Sequence, residues 1–448
     1  MTGTRGPLFD PVFGSSHADF SDEAWVGALV EVEAALARAA SRFGLVSAPT
    51  AQALTTLAAD PSRIEGADPA TLGAASISGG NPVIPLVTAL RSAVVGLDDR
   101  AVPGEVHVGA TSQDVIDSAA ALLVHRAAGH LRAHADRVVV ACADLARTHR
   151  GTPLAGRTLG QQALPTTFGL VAAGWGRSVR VAATAAVRAA AAVSVQFGGA
   201  AGTLAAVHPH GPALADAVAD ELALPRALAP WHTDRAELTL YAGALGATAG
   251  SVAKVAGDVI LHAATEIGEL SVRDAGGSSA MPHKRNPTSA IEARAAAMRV
   301  PGLVATVQAA AAHEHQRAAG AWHAEWEPLS DLQRLTVGAL ARLAHTLENL
   351  DVHPDAMARN LDVTGGALLA ERVVVAMGRD RPDARGLVTD ACRRGRLDSD
   401  ERLIDALGAG RLRDLLDPAG YLGHAADLVD ALLPTLTPID GTTQEETR

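Results

Sequence analysis

The chain has 448 residues, 48% of them hydrophobic and only 3% aromatic, and a formal net charge of −11. That length can bury a large core, and the negative balance excludes a nucleic-acid partner as a global property of the surface. Alanine-rich stretches with few aromatic or β-branched residues favour packed helices over a sheet, so an all-α fold is expected. Cys142 and Cys392 stand in no CxxC spacing and read as free thiols.

Residues 1–10 lack the basic-then-apolar pattern of a signal peptide, and apolar runs such as 138–143 are too short to cross a bilayer. A cytoplasmic protein with no membrane partner is expected. Over residues 22–43, Trp25, Leu29, Val32 and Leu36 recur at helical spacing, and Gly44 ends the pattern. Short helices and turns follow to Gly104, punctuated by Pro82, Pro85 and Pro103. A long helix is predicted over 112–150, opened by Thr111 and Asp114 in a capping-box spacing. Further long helices are predicted over 165–195, 237–270, 287–320 and 326–350. Gly198, Gly199 and Gly202 suit a turn or close helix packing, since the dinucleotide fingerprint needs a different spacing. His353-Pro354 marks a boundary, shorter helices continue to 433, and the polar residues 440–448 are expected to be disordered. Long helices with short breaks describe a bundle.

Three segments carry chemistry. Gly277-Ser278-Ser279-Ala280-Met281-Pro282-His283-Lys284-Arg285-Asn286-Pro287 joins hydroxyls and cations to a helix start, with Asn286 as cap and Pro287 first in the helix. Such a place favours anions and can stabilise a serine alkoxide. His107-Val108-Gly109-Ala110-Thr111-Ser112-Gln113-Asp114 also sets hydroxyls at a helix start; they hold an anion, cap the helix, or both, and Asp114 is assigned to the cap. Gly156-Arg157-Thr158-Leu159-Gly160-Gln161 is the third.

The first segment resembles the signature loop of the fumarase/aspartase superfamily, Gly-Ser-Ser-x-Met-Pro-x-Lys-x-Asn-Pro, and the other two resemble that family's remaining signature regions. The resemblance covers nearly the whole chain and weakens after residue 375. It implies a small N-terminal helical domain (1–105), a central five-helix bundle (106–351) and a small C-terminal helical domain (352–448). It also implies a homotetramer whose active sites are shared between subunits. Ser278 becomes the catalytic base or proton donor. Thr111, Ser112, Arg157, Thr158, Gln161, Ser279, Met281, Lys284 and Asn286 become the substrate-binding set for a small tricarboxylate. Arg235, after Trp231-His232, and Arg317, in His315-Gln316-Arg317, are further candidates, because guanidinium groups bind carboxylates bidentately. No metal and no organic cofactor is implied.

Amine-releasing members of the family carry a proton-donating histidine where this chain has Leu159, and Asn81 takes the place of a second histidine. Leucine transfers no proton. A carboxylate, with a reference pKa of roughly 4, attacks or departs unprotonated. The resemblance therefore points to the lactone-forming, muconate-cycloisomerase branch, in which a substrate carboxylate adds across a carbon–carbon double bond. A lyase releasing an amine or nitrite is the alternative, and a non-catalytic structural protein is a third reading. No metal site is expected at His313-Glu314-His315, because helical residues two apart diverge, nor at His208-Pro209-His210.

Overall fold

A computed structural model describes residues 10–13, 18–273, 276–277, 281, 283–378 and 381–439. The N-terminal part contains α1 (Asp22–Ser41), α2 (Ala48–Ala59), α3 (Pro69–Ser76) and α4 (Val83–Leu97). Ser21 opens α1 by accepting from the amide of Ala24, and Asp68 opens α3 by accepting from that of Thr71, which satisfies amides that have no partner inside the helix.

Next come α5 (Ser112–Thr148), β1 (Pro153–Thr158), β2 (Gln161–Thr167), α6 (Phe168–Ala192), α7 (Gly211–Leu222), α8 (Ala236–His262) and β3 (Leu270–Val272). β4 (Gly276–Gly277) and β5 (Arg285–Asn286) lead to α9 (Thr288–Ala310), α10 (Trp326–Glu348), β6 (Leu350–Val352) and α11 (Pro354–Asp362). The helices α5, α6, α8, α9 and α10 pack in a ring in that order, and α10 closes back onto α5. Alanines line the contacts: Ala119, Ala121, Ala183, Ala186, Ala242, Ala249, Ala293 and Ala339 are all fully buried. A methyl side chain loses no rotamer freedom on burial and lets helix axes approach closely.

The ring has two distinct ends. One gathers the start of α5, the extended segment after α6, the start of α8 and residues 311–325. The other gathers the β1–β2 hairpin, the antiparallel β3–β6 and β4–β5 pairs, and α11. The 37 residues of α5 separate them by about 55 Å at 1.5 Å per residue. After α11, Val373, Val388, Ala391, Leu397, Leu403 and Leu412 form a small core of their own. The chain then returns to the bundle: Asp430 accepts from Arg150, and the Ile439 amide donates to Asp136 at 2.7 Å.

The all-α expectation holds, with three small two-stranded pairs that the sequence reading lacked. The helix expected from Pro165 starts at Phe168, because residues 161–167 belong to β2. The third long helix stops at His262, and the fourth stops at Ala310 rather than near Gly320. That fourth helix begins at Thr288, with Pro287 in the cap position; Asn286 is not the cap, because it pairs with Gly276 in the β4–β5 ladder. The tail 440–448 lies outside the described residues. Contrary to the expectation from short apolar runs, α8 is long and apolar enough to cross a membrane by length and composition. Its apolarity has a local use: one face lies in the ring, while Leu240 and Leu261 stand open on the other.

Tyr241 of α8 is fully buried, and its hydroxyl has no hydrogen-bond partner. Burial pushes its ionisation well above the ordinary tyrosine range. A buried unpaired hydroxyl costs about 1–3 kcal/mol. Tyr241→Phe is therefore expected to leave thermal stability unchanged or raise it; a clear drop in melting temperature would contradict the packing described for α8.

Candidate active site

At the α5 start, one carboxylate organises three chain segments. Asp114 accepts from the amides of Thr111 (3.0 Å), Gly198 (2.9 Å) and Gly199 (2.8 Å), from Gln196 Nε2 (3.2 Å), and pairs with His232 Nε2 (2.7 Å). The assignment of Asp114 to the cap is thus half its work. The same side chain also fixes the glycine turn that the sequence left without a role. Only glycine fits at 198, since an added Cβ would lie 2.7 Å from Pro230 and 2.9 Å from His232.

One turn further, Asp117 faces a second network. It accepts from Arg235 Nη1 (2.8 Å), Gln113 Nε2 (3.1 Å) and Trp322 Nε1 (3.1 Å). Arg235 also donates to both oxygens of Glu325 and lies over the Trp231 ring at 4.9 Å. Arg235 was expected to hold a substrate carboxylate. It holds two protein carboxylates instead, and its side chain is 1% exposed. Arg317 donates to Thr111 Oγ1 (2.9 Å) and Gln113 Oε1 (3.0 Å), so it braces the helix start directly. Burial, reinforced by the charge of Asp117 and opposed by Arg235, pushes the Glu325 carboxyl up to about 7. His313 lies in the non-helical segment after α9, so the helical-spacing argument does not apply to it. Its Nδ1 faces the His232 carbonyl, and burial, followed by the charge of Arg235, lowers its pKa.

At the opposite end, Thr158 and Gln161 pair across a two-residue turn whose members, Leu159 and Gly160, both have positive φ (50° and 78°). That geometry closes tight hairpins. Thr158, Leu159, Gly160 and Gln161 form an exposed tip, with Leu159 entirely accessible. Arg157 grips Glu269 bidentately at 2.7 and 3.0 Å. Glu269 also receives His262 Nδ1 (2.6 Å) and Asn360 Nδ2 (2.7 Å). Burial alone would raise the Glu269 pKa, but the hydrogen bonds of His262, Arg157 and Asn360 with Arg157's charge bring it to about 2. Glu269 adjoins β3, which leads into the serine-bearing loop. Gly276 pairs with Asn286 and Gly277 with Arg285 on either side of that loop. Met281 and Lys284 are exposed, and the Lys284 amide donates to the Met281 carbonyl at 3.0 Å. Ser278 and Ser279 lie outside the described residues.

Within one chain, Thr111, Ser112, Arg235 and Arg317 therefore lie at one end, while Arg157, Thr158, Gln161, Met281, Lys284 and Asn286 lie at the other. Sequence reasoning missed Asp117, Glu325 and Glu269. The available signal was an acidic residue at a position whose helical or strand neighbours are apolar, as with Asp117 beside Ile116 and Ala119.

A family model described as lyase matches residues 9–302. The chain is 43% identical to a nitrosuccinate lyase of Streptomyces davaonensis, covering 94% of this chain and 93% of the relative. It is 42% identical to a 3-carboxy-cis,cis-muconate cycloisomerase of Pseudomonas aeruginosa, covering 95% of each. Among solved structures, the 3-carboxy-cis,cis-muconate lactonizing enzyme of Pseudomonas putida superposes with a TM-score of 0.89 at 37% identity, covering 96% of this chain and 98% of that one.

The buried Glu325 yields a pH test. Its folded pKa of about 7 stands above the ordinary glutamate value of 4.5. The neutral form therefore favours the fold, and this contribution, present below 4.5, is lost as pH rises through about 7. Wild type should lose stability relative to Glu325→Gln across that window, by at most about 3 kcal/mol, the free-energy equivalent of the displacement. Equal melting-temperature differences at both ends of the window would contradict the assignment.

Proposed function

The chain belongs to the lyase family, and from that premise we propose that it is a cycloisomerase converting 3-carboxy-cis,cis-muconate to 4-carboxymuconolactone. Two likenesses support this: the cycloisomerase relative at 42% identity and the lactonizing-enzyme structure at a TM-score of 0.89. The observation that carries it is the hairpin tip. Leu159 stands fully exposed where amine-releasing relatives place an acid, and its exposed tip neighbours Thr158, Gly160 and Gln161 carry no ionisable group.

The substrate is a trianion. Thr111 and Ser112 at the α5 start, Thr158, Gln161, Met281, Lys284 and Asn286 at the other end, and Ser279 of the serine loop are the groups assigned to hold it, while Arg157, gripped by Glu269, positions the hairpin that carries Thr158 and Gln161. One substrate carboxylate attacks the double bond, and the electron pair passes to a neighbouring carboxyl as an enolate. Donors fixed in place around that oxygen stabilise the developing charge without reorganising. Ser278 delivers its hydroxyl proton to the carbon beside that carboxyl and is reprotonated from water. The substrate gains one proton and loses no atoms.

The 55 Å separation of the two residue sets, estimated as above from helix rise, supports a site completed by more than one copy of the chain. The open apolar face of α8, with Leu240 and Leu261, supports close packing of copies. We assign a homotetramer with shared sites and a cytoplasmic location on the family resemblance.

A second reading is a nitrosuccinate lyase, favoured by the 43% relative. Proton balance separates the two. Lactone formation turns a trianion into a dianion and consumes a proton. Elimination of nitrite from nitrosuccinate releases one. In weak buffer with 3-carboxymuconate, the cycloisomerase reading predicts loss of diene absorbance with alkaline drift. No turnover there, with acid drift and nitrite from nitrosuccinate, would establish the second reading. Ser278→Ala is expected to fold and assemble normally and to lose about 10²–10⁴-fold in turnover; near-normal turnover would remove Ser278 from the mechanism.

A further inference from the structure

We propose that His107, paired with the buried carboxylate of Glu33, is a further binding residue that contacts one carboxylate of the anion at the α5 start. This rests on reading that end as an anion site. His107 Nδ1 lies 2.6 Å from Glu33 Oε1, and the Glu33 side chain is 0% exposed. The other Glu33 oxygen is buried without a hydrogen-bond partner. A buried carboxylate is costly unless a cation faces it, and His107 is the group in position to be that cation.

The ring cannot use Nδ1 for anything else. Its side chain is 17% exposed, so the accessible edge is the far one, which carries Nε2. In the imidazolium that nitrogen is a charged N–H donor. His107 precedes Thr111 by four residues, a reach of at most about 14 Å along the chain. It sits at φ 70°, a left-handed conformation uncommon outside glycine, and Gly109 follows at φ 69°. The backbone is therefore turned sharply here so that the ring meets Glu33 on α1 while the hydroxyls follow on α5.

The charges around the ring come from three helices: Glu33 on α1, Asp114 on α5 and Arg91 on α4. Burial alone would lower the His107 pKa, yet the charge and hydrogen bond of Glu33, with Asp114, hold it above the ordinary value against Arg91. The arginines at this end are already engaged, Arg235 by Asp117 and Glu325, Arg317 by Thr111, Gln113 and the Ala200 carbonyl, and Arg91 by the Val106 carbonyl. A charged imidazole with an uncommitted donor supplies what they do not.

The test uses the full-length assembled protein and propane-1,2,3-tricarboxylate as probe, measured by calorimetry from about pH 7 to 9, where the probe is fully ionised. His107→Asn suits the left-handed backbone and keeps a donor for Glu33 while losing the charge. It should bind the probe about 10- to 100-fold more weakly, the loss of one charge-assisted contact, with the fall in wild-type affinity at high pH abolished. Glu33→Gln should move that fall to lower pH and so bind the probe weakly across the whole window, because the charge favouring the imidazolium is gone while burial and Arg91 still oppose it. Unchanged affinity and pH dependence in His107→Asn would overturn the proposal, as would an unmoved transition in Glu33→Gln should the first variant not fold. Probe binding that depends on His107 in a protein that does not lactonise carboxymuconate would keep this inference and reject the reaction.

Discussion

One unbroken helix of 37 residues, α5, sets the geometry on which everything else depends. A helix cannot fold back on itself, so the hydroxyls at its start and the hairpin beyond its end stay apart by its whole length. Of the other long helices, α6 and α10 pack along it, α8 and α9 complete the ring, and all return to the same two ends. Chemistry that needs both sets of residues cannot be assembled by one chain. Under the proposed reaction, assembly of copies is then a condition for a complete site rather than an addition to it.

Each end is stiffened by a buried acid. Asp114 ties the α5 start to the glycine turn and to His232; Glu269 ties the hairpin to α11 and to the root of the serine loop. These segments have little helical structure of their own, so their backbone amides and side chains need partners. A carboxylate supplies several acceptor positions at once. The Asp117–Arg235–Glu325 cluster extends the same scheme into the segment that carries Arg317. Removing one member would strand the others as buried charges, which is far costlier than the loss of one contact.

The helical character was legible because Leu29, Val32 and Leu36 repeat with the helical period, Gly44 ends the first helix as glycine does, and alanine-rich stretches with short breaks follow where the bundle helices lie. The hairpin was not legible: Leu159-Gly160 is not a typical tight-turn pair, and leucine adopts a left-handed conformation there within the two-residue turn that the Thr158–Gln161 pair closes. Asn286-Pro287 looked like a helix cap, but the β4–β5 ladder claimed Asn286 first. Of the site, the motif residues were named from the sequence, yet the partners of Arg157 and Arg235 were not. An arginine pattern does not say whether the carboxylate it meets belongs to a substrate or to Glu269, Asp117 and Glu325.

The central claim, that opposite ends of different copies complete each site, is tested most directly by mixing two disabled chains. One carries Thr111→Val with Ser112→Ala, which disables the α5 start; the other carries Ser278→Ala, which disables the loop. Each alone should be nearly inactive. Dissociated, mixed and reassembled, they should regain a substantial fraction of wild-type turnover, because some hybrid sites draw both ends from undamaged chains. Mixtures that assemble into hybrids and stay as inactive as either parent would contradict the account.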